Sequence, residues 1–279
     1  PNKMILPSLL TNSDKYTIER KSTVSILKNM KTRVIVLAAG KGKRMKSEVP
    51  KVLIPFDGQP LVKRLLDSIK DSGVDTRPVL IVSETTGPLL KESLGDQYDY
   101  VLQTEQLGTG HAVKSAESLL ENRADRVIVF YGDHPFLTKE TIKKLDDLHE
   151  THGGPLAMIT TTVQDFEGWR SLFRDFGRIK RDSSEDIESS VEMKDATPEE
   201  RLIKEVNPCF FSFEASWLWD HLKKLENKNA QGEYYLTDLV HMAIKKGHPI
   251  SSMNVNPLES IGVNTPEQLE TAKQLMKND

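Results

Sequence analysis

Cysteine is almost missing from this chain of 279 residues, Cys209 being the single one. An internal disulfide is thereby excluded, a cysteine-based zinc site is untenable, and the usage fits a reducing compartment. The seven histidines show neither HExxH nor any other metal-ligand spacing. His111, His134 and His241 are scattered, so each reads as a surface or packing residue. A metal, if used, is expected to be held through oxygen. An excess of positive charge is lacking too. With 38 basic and 41 acidic side chains the net charge is −3, which argues against a nucleic-acid partner. No apolar run approaches the roughly 20 residues needed to span a bilayer, and the N-terminal stretch has no signal-peptide h-region. The expectation is a soluble, cytoplasmic protein without membrane insertion. The hexapeptide period of a left-handed β-helix is not seen.

What stands out is the stretch 34–52, VIVLAAGKGKRMKSEVPKV. Six uninterrupted apolar positions, 34–39, read as a central strand of a parallel sheet, whose carboxyl edge is where ligands collect. The loop that follows carries Gly40 and Gly42, which let several backbone N–H groups point at one anion. Lys41, Lys43, Arg44, Lys46 and Lys51 add more positive charge than a fold needs for itself. Together these features read as a polyphosphate cradle; a solvated basic turn after an edge strand is the plainer alternative. Met45 excludes two common phosphate motifs. It stands where a dinucleotide fingerprint would need its third glycine and where a Walker A loop would need its second.

The length allows one large domain or two small ones. Residues 1–31 are polar with interspersed Ile, Leu and Met, and read as an extension that is either a flexible tail or a short amphipathic helix. The main domain then runs over 32–279. Apolar spacing predicts a helix over 61–70 ending at Gly73, a strand over 78–82 and a helix over 87–94. A strand over 100–103, a helix over 109–120 and a strand over 126–131 follow. Alternation of this kind implies a Rossmann-like α/β fold with a mostly parallel sheet flanked by helices. Strands are expected next at 156–163, 176–180, 190–194 and 205–213, with helices at 216–225, 236–246 and 266–276. These make the sheet mixed and suggest a smaller, lid-like lobe. The acidic run 182–188 reads as a solvated loop tip.

Asp133 follows the strand 126–131 directly past Gly132, so its carboxylate should emerge at the edge that carries the basic loop. A turn-forming or capping role is the alternative. A triphosphate normally arrives with Mg2+, which needs protein oxygen ligands, and Asp133 is the best-placed candidate. Asn264 is the second, between the strand end at 261–263 and a helix start at Thr265 and Pro266, where one of the two polar residues must cap. In the segment QTEQLGTGHA, 103–112, Gln103 and Gln106 each donate and accept, which suits the paired edge of a uracil ring.

The spacing LAAGxGxRM over 37–45, followed by Pro50 and Lys51, resembles the signature of the sugar-nucleotide pyrophosphorylases. The segments 103–112, YGD at 131–133, VEMKDAT at 191–197 and NAQGEYYLTD at 229–238 are similar to its N-acetylglucosamine-1-phosphate uridylyltransferase branch. The likeness covers roughly residues 32–275. It implies a Mg2+-dependent enzyme taking UTP and an amino-sugar 1-phosphate. By this resemblance Leu37, Ala38, Ala39, Gly40 and Gly42 line the nucleotide, and Gln103, Gln106, Gly108 and Thr109 read the base. Arg44 and Lys51 meet the phosphates and are catalytic together with Asp133. Tyr131, Gly177, Glu192 and Asn207 hold the sugar, while Asp133 and Asn264 share the metal.

Three departures accompany the resemblance. Asn207, Pro208 and Cys209 stand where the family has asparagine, a small residue and glycine. The loop 165–176, with Trp169, Arg170 and Phe173, is longer than usual beside the sugar pocket. The acetyltransferase β-helix of bifunctional relatives is not found in this sequence, so the expectation is transfer of the nucleotidyl group without acetyl transfer. Another sugar 1-phosphate, dTTP or CTP in place of UTP, and a non-catalytic nucleotide-sensing module stay open as alternatives. A homo-oligomer is left open as well.

Overall fold

The computed structural model describes residues 31–40, 42–229 and 231–277, so the expectation for the N-terminal extension falls outside the described residues apart from Lys31. The first half runs β1 (Thr32–Leu37), a hairpin of β2 (Pro55–Phe56) and β3 (Gln59–Pro60), α1 (Leu61–Ser72), β4 (Val79–Val82), α2 (Thr86–Leu94) and β5 (Asp99–Leu102). It continues with α3 (Thr109–Lys114), α4 (Glu117–Leu120) and β6 (Arg126–Tyr131). The second half runs α5 (Lys139–His152), β7 (Leu156–Thr162), β8 (Gly177–Arg181), β9 (Ile187–Val191), β10 (Glu205–Asn207), β11 (Phe211–Glu214), α6 (Ala215–Leu222), α7 (Asp238–Lys245), β12 (Ser251–Val255) and α8 (Pro266–Lys277).

Strands β5, β4, β1 and β6 lie side by side and parallel, with β1 between β4 and β6. The uninterrupted apolar strands arise because both faces are covered. Ile35, Val79, Ile81, Val127 and Val129 point to one face, into a cluster with Val113, Leu218 and Leu239 from the helices. Their neighbours Val34, Val36, Leu80, Ile128 and Phe130 point to the other, against Leu65, Leu66, Leu90 and Leu145. The period of two along a strand divides one run of hydrophobic residues between two cores. Each fully buried side chain of this kind contributes about 1.5–3 kcal/mol.

The sheet then turns mixed. β11 pairs antiparallel with both β6 and β7, and β12 runs parallel to β7 on the far side. The expected strand 205–213 is one antiparallel partner of β7 interrupted by a bulge. Val206 pairs with Thr161 and Phe211 with Met158, so five steps on one strand match three on the other. Pro208 has no N–H to offer a ladder, and Cys209 takes a left-handed φ of 64°. The bulge forks the sheet. β11 keeps β6 as its other neighbour, whereas β10 takes β8, and β9 follows β8. The strands expected in a smaller lobe therefore continue the main sheet, and the end of β6 and the start of β8 part around Pro208 and Cys209.

Other boundaries shift for local reasons. The helix expected over 109–120 divides at Ser115 and Ala116 into α3 and α4. The strand expected over 190–194 is β9, which ends at Val191 because the chain turns, Asp195 N–H donating to Glu192 O at 2.9 Å. Of the acidic run 182–188, residues 182–186 form the exposed turn that joins β8 to β9, while Ile187 and Glu188 already belong to β9 and Ile187 is buried.

Candidate active site

A cavity of about 750 Å³ opens at the carboxyl edge of β1 and β6 and reaches into the fork. It is lined by Leu37, Ala38, Ala39, Gly40, Gly42, Lys51, Gln103, Gln106, Gly108, Thr109, Tyr131, Asp133, Gly177, Glu192, Asn207 and Asn264. These are all the site residues named from the sequence except Arg44, whose Nη2 donates to Asn264 Oδ1 at 3.1 Å.

The cationic turn is built by a tight bend. Met45 N–H donates to Gly42 O at 2.8 Å, and buried Met45 anchors the turn in the apolar cluster of Phe56 and Leu61. Gly42 has a φ of +57°, and a Cβ there would lie 2.9 Å from Lys51 Cβ, so the close approach of turn and Lys51 requires glycine. A Cβ on Gly40 would meet nothing within 4 Å. The protein's own packing does not exclude a side chain at Gly40; the bare backbone there leaves room for something else.

Opposite the turn, β6 delivers Asp133. Gly132 N–H donates to Leu37 O at 3.0 Å, and Asp133 O accepts from Val263 N–H at 2.9 Å, so the two strand ends and the 262–264 segment are stitched together. Thr265 Oγ1 accepts from Gln268 N–H at 3.2 Å and caps α8, which leaves the Asn264 side chain for the cavity. Asn264 Oδ1 and Asp133 Oδ2 converge on one point, occupied by Lys51 Nζ at 2.8 and 2.7 Å. Two hard oxygens already gathered around a positive charge are a donor set that fits a Mg2+ ion. Burial would raise the Asp133 carboxyl, but Lys51 and His134 outweigh it and hold the group far below the usual carboxylate range.

The base side is a clasp between 103–110 and 233–236. Tyr234 N–H donates to Leu107 O and Gly110 N–H to Tyr234 O, both at 2.8 Å, while Leu236 N–H donates to Thr109 Oγ1 at 2.9 Å. A Cβ on Gly108 would strike Tyr234 O at 2.6 Å, and its φ is +107°. Gln106 Nε2 donates to Ala39 O at 2.6 Å, and Gln103 Nε2 donates to Gly108 O at 3.2 Å. Gln103 thus holds the loop to itself, and Gln106 ties it to the end of β1.

On the far side, Glu192 Oε1 accepts from Thr237 Oγ1 at 3.1 Å. Asn207 is only 2% exposed, and both ends of its amide are engaged: Nδ2 donates to Ser190 Oγ at 3.1 Å, and Oδ1 accepts from Cys209 N–H at 2.7 Å. It fixes the bulge and presents little free surface of its own. Burial, with Cys209, Glu192 and Asp133 adding, pushes the Tyr131 phenol well above its ordinary value. Burial beside Glu192 also raises the Cys209 thiol, which disfavours its thiolate form. Of the loop 165–176, only Asp175 and Phe176 reach the cavity wall; Trp169, Phe173 and Phe176 stack edge to face beneath it.

The sequence reading passed over several wall residues, among them Asp175, Phe176, Glu233 and His134. His134 packs against Phe210, as a packing histidine should, yet it also lines the cavity and lies 3.2 Å from Asp133. Its place directly after Asp133 was the one available signal.

Fold and cavity together define an α/β protein with a ligand site on the carboxyl edge of its parallel strands. Residues 34–241 match the model of the MobA-like NTP transferase domain, and the chain belongs to that family of nucleotidyltransferases. It is 40% identical over 243 residues to the bifunctional protein GlmU of Enterococcus faecalis, covering 87% of this chain and 51% of the relative. It is 37% identical over 245 residues to that of Acetivibrio thermocellus, covering 88% and 51%. The chain thus spans about half the length of the curated relatives it matches. The solved structure of a Bacillus anthracis chain assigned as a glucose-1-phosphate thymidylyltransferase shares the fold, with a TM-score of 0.71 at 18% identity over 89% of this chain and 96% of that one. Among the described residues no helix is long and apolar enough to cross a membrane.

Proposed function

We propose that the chain transfers the uridylyl group of UTP to N-acetylglucosamine 1-phosphate, with Mg2+, giving UDP-N-acetylglucosamine and pyrophosphate. One observation carries this reading: a single cavity joins the cationic turn, the Asp133–Asn264 oxygen pair, the glutamine loop and the wall of Gly177, Glu192 and Asn207. The motif resemblance supplies the identities of base and sugar.

A phosphate oxygen of the sugar phosphate attacks the α-phosphorus of UTP in line. The bond from that phosphorus to the bridging oxygen breaks, and pyrophosphate leaves. The protein contributes position and charge, as is usual for phosphoryl transfer. Arg44, Lys51 and the N–H groups around Gly40 and Gly42 hold the departing pyrophosphate. Asp133 and Asn264 would hold Mg2+, which supplies neutralisation of phosphate charge. Gln103 and Gln106 would exchange their bonds to Gly108 O and Ala39 O for the base edge. Asn207 acts on the sugar side by fixing the bulge. Pyrophosphate release measured over four nucleotides and a panel of sugar 1-phosphates tests the reading. Activity with dTTP but not UTP overturns the base assignment. Tight UTP binding with no release under any sugar favours a sensing module.

A second reading keeps the chemistry and changes the sugar. It is favoured by Pro208 and Cys209, which stand on the cavity wall at the fork.

A further inference from the structure

The carboxylate of Asp133 has a nitrogen neighbour at each oxygen. Lys51 takes Oδ2, and Oδ1 faces His134 Nδ1 at 3.2 Å. The same Nδ1 lies 3.4 Å from Tyr131 O. A ring nitrogen set between two acceptors carries its proton, so Nδ1–H is the donor and the tautomer is fixed by its surroundings. The ring itself is locked. His134 is 6% exposed and meets the Phe210 ring edge to face at 4.7 Å, and a Cβ on Gly262 would come within 3.0 Å of Nε2. Among the described residues Nε2 has no hydrogen-bond partner. The same Cβ would lie 3.5 Å from Asn264 Nδ2, so the bare backbone of Gly262 passes close to both the histidine ring and the asparagine amide.

From this we infer that His134 is a positioning residue for the cation site: its Nδ1–H holds Asp133 Oδ1 and thereby aims Oδ2 at the point where Asn264 Oδ1 converges. The inference rests on the proposed reading of Asp133 and Asn264 as cation ligands. A carboxylate pinned at one oxygen has one orientation in which to bind. Freed at that oxygen, it can rotate about its Cβ–Cγ bond, and the geometry shared with Asn264 is lost. Partners that orient a ligand in this way typically change metal affinity by about 10–100-fold when removed.

Two substitutions separate the donor from the ring. His134→Leu keeps apolar bulk against Phe210 and removes the donor. His134→Asn keeps an N–H close to the place of Nδ1 and removes the ring. Free Mn2+ is measured by electron paramagnetic resonance as it is titrated into folded protein, and Tm is recorded alongside. We expect His134→Leu to weaken Mn2+ binding roughly tenfold or more, and His134→Asn to stay within about threefold of the parent despite a lower Tm. A merely structural histidine gives the reverse order. Equal loss in both variants, or loss in neither, overturns the inference. If His134→Leu does not fold, His134→Ala serves as the variant without a donor. Asp133→Asn is titrated in parallel. Unchanged Mn2+ binding there removes the cation reading itself, whereas loss in Asp133→Asn with none in His134→Leu removes only the role of the histidine.

Discussion

Lys51 Nζ lies 2.7 Å from Asp133 Oδ2 and, at 2.8 Å from Asn264 Oδ1, bridges the two groups read as cation ligands. The ammonium stands where the ion would, so a cation and Lys51 compete for one place until a phosphate draws the lysine away. Lys51→Met should therefore bind Mn2+ more tightly than the parent when nucleotide is absent, while binding UTP more weakly. The buried carboxylate that loses its partner has strong reason to accept another positive charge. Calorimetric titration of each ligand checks both halves, and weaker Mn2+ binding in the variant counts against the competition.

Asp133→Ala should cost on the order of several kcal/mol in the barrier, roughly a thousandfold in turnover. Steady-state pyrophosphate release measures it, with circular dichroism to establish that the variant is folded. Near-parental turnover would refute the assignment of Asp133.

Cys209→Gly should shift the preference among sugar 1-phosphates while leaving the KM for the nucleotide close to that of the parent. The side chain lines the fork, and the left-handed backbone beneath it is one that glycine adopts without strain. Competition assays on the sugar panel read the shift; an unchanged ranking would show that the thiol does not shape that end.

Leu66 is fully buried in the cluster that joins α1 to the sheet and α5. Leu66→Ala should lower unfolding free energy by about 2–5 kcal/mol, measured by urea denaturation.

His149 gives a pH dependence of known sign. It is buried, with Nε2 3.0 Å from Gly154 O and Nδ1 2.7 Å from Ser212 Oγ. The Gly154 carbonyl can only accept, so Nε2–H donates to it, while the Ser212 hydroxyl can take either role opposite Nδ1. Burial lowers its pKa below the ordinary 6.5. Below that pH the unfolded chain takes up a proton that the folded chain refuses, so stability falls as the pH drops. His221 is shifted the same way and adds to the slope. Tm recorded from pH 8 to pH 5 should fall less steeply in His149→Gln than in the parent.

Much of this arrangement was legible because burial on two faces writes itself as continuous apolar runs. β1, β4 and β6 were readable for that reason, and so was the amphipathic face of α1. Asp133 was readable because a strand followed by Gly132 must end at the sheet edge. The β12 strand, SSMNV, was not, since its residues are only partly buried and show no alternation. α5 was not singled out because its polar face, rich in Lys, Asp and Glu, outweighs the few apolar positions that it buries. The bulge at Pro208 and Cys209 was noticed as an odd sequence, but its effect, the fork that opens the cavity, depends on β6 and β8 competing for one partner. That competition is a property of pairing across distant segments. His134 escaped because its importance lies in a ring nitrogen's distance from a neighbour's oxygen, which spacing along the chain does not encode.

Lys51 and Asn264 meet across 213 positions of sequence. Val263 N–H on Asp133 O is what brings the later segment home. A polypeptide still being synthesised thus holds the residues of the parallel run β5, β4, β1 and β6, which ends at Tyr131, long before it holds the segment that carries Asn264. A nonsense codon ahead of position 262 would remove Val263 and Asn264 together, and with them the tie to Asp133 and one of the two oxygens around Lys51, so a complete set of these groups reports that translation has reached the closing turn.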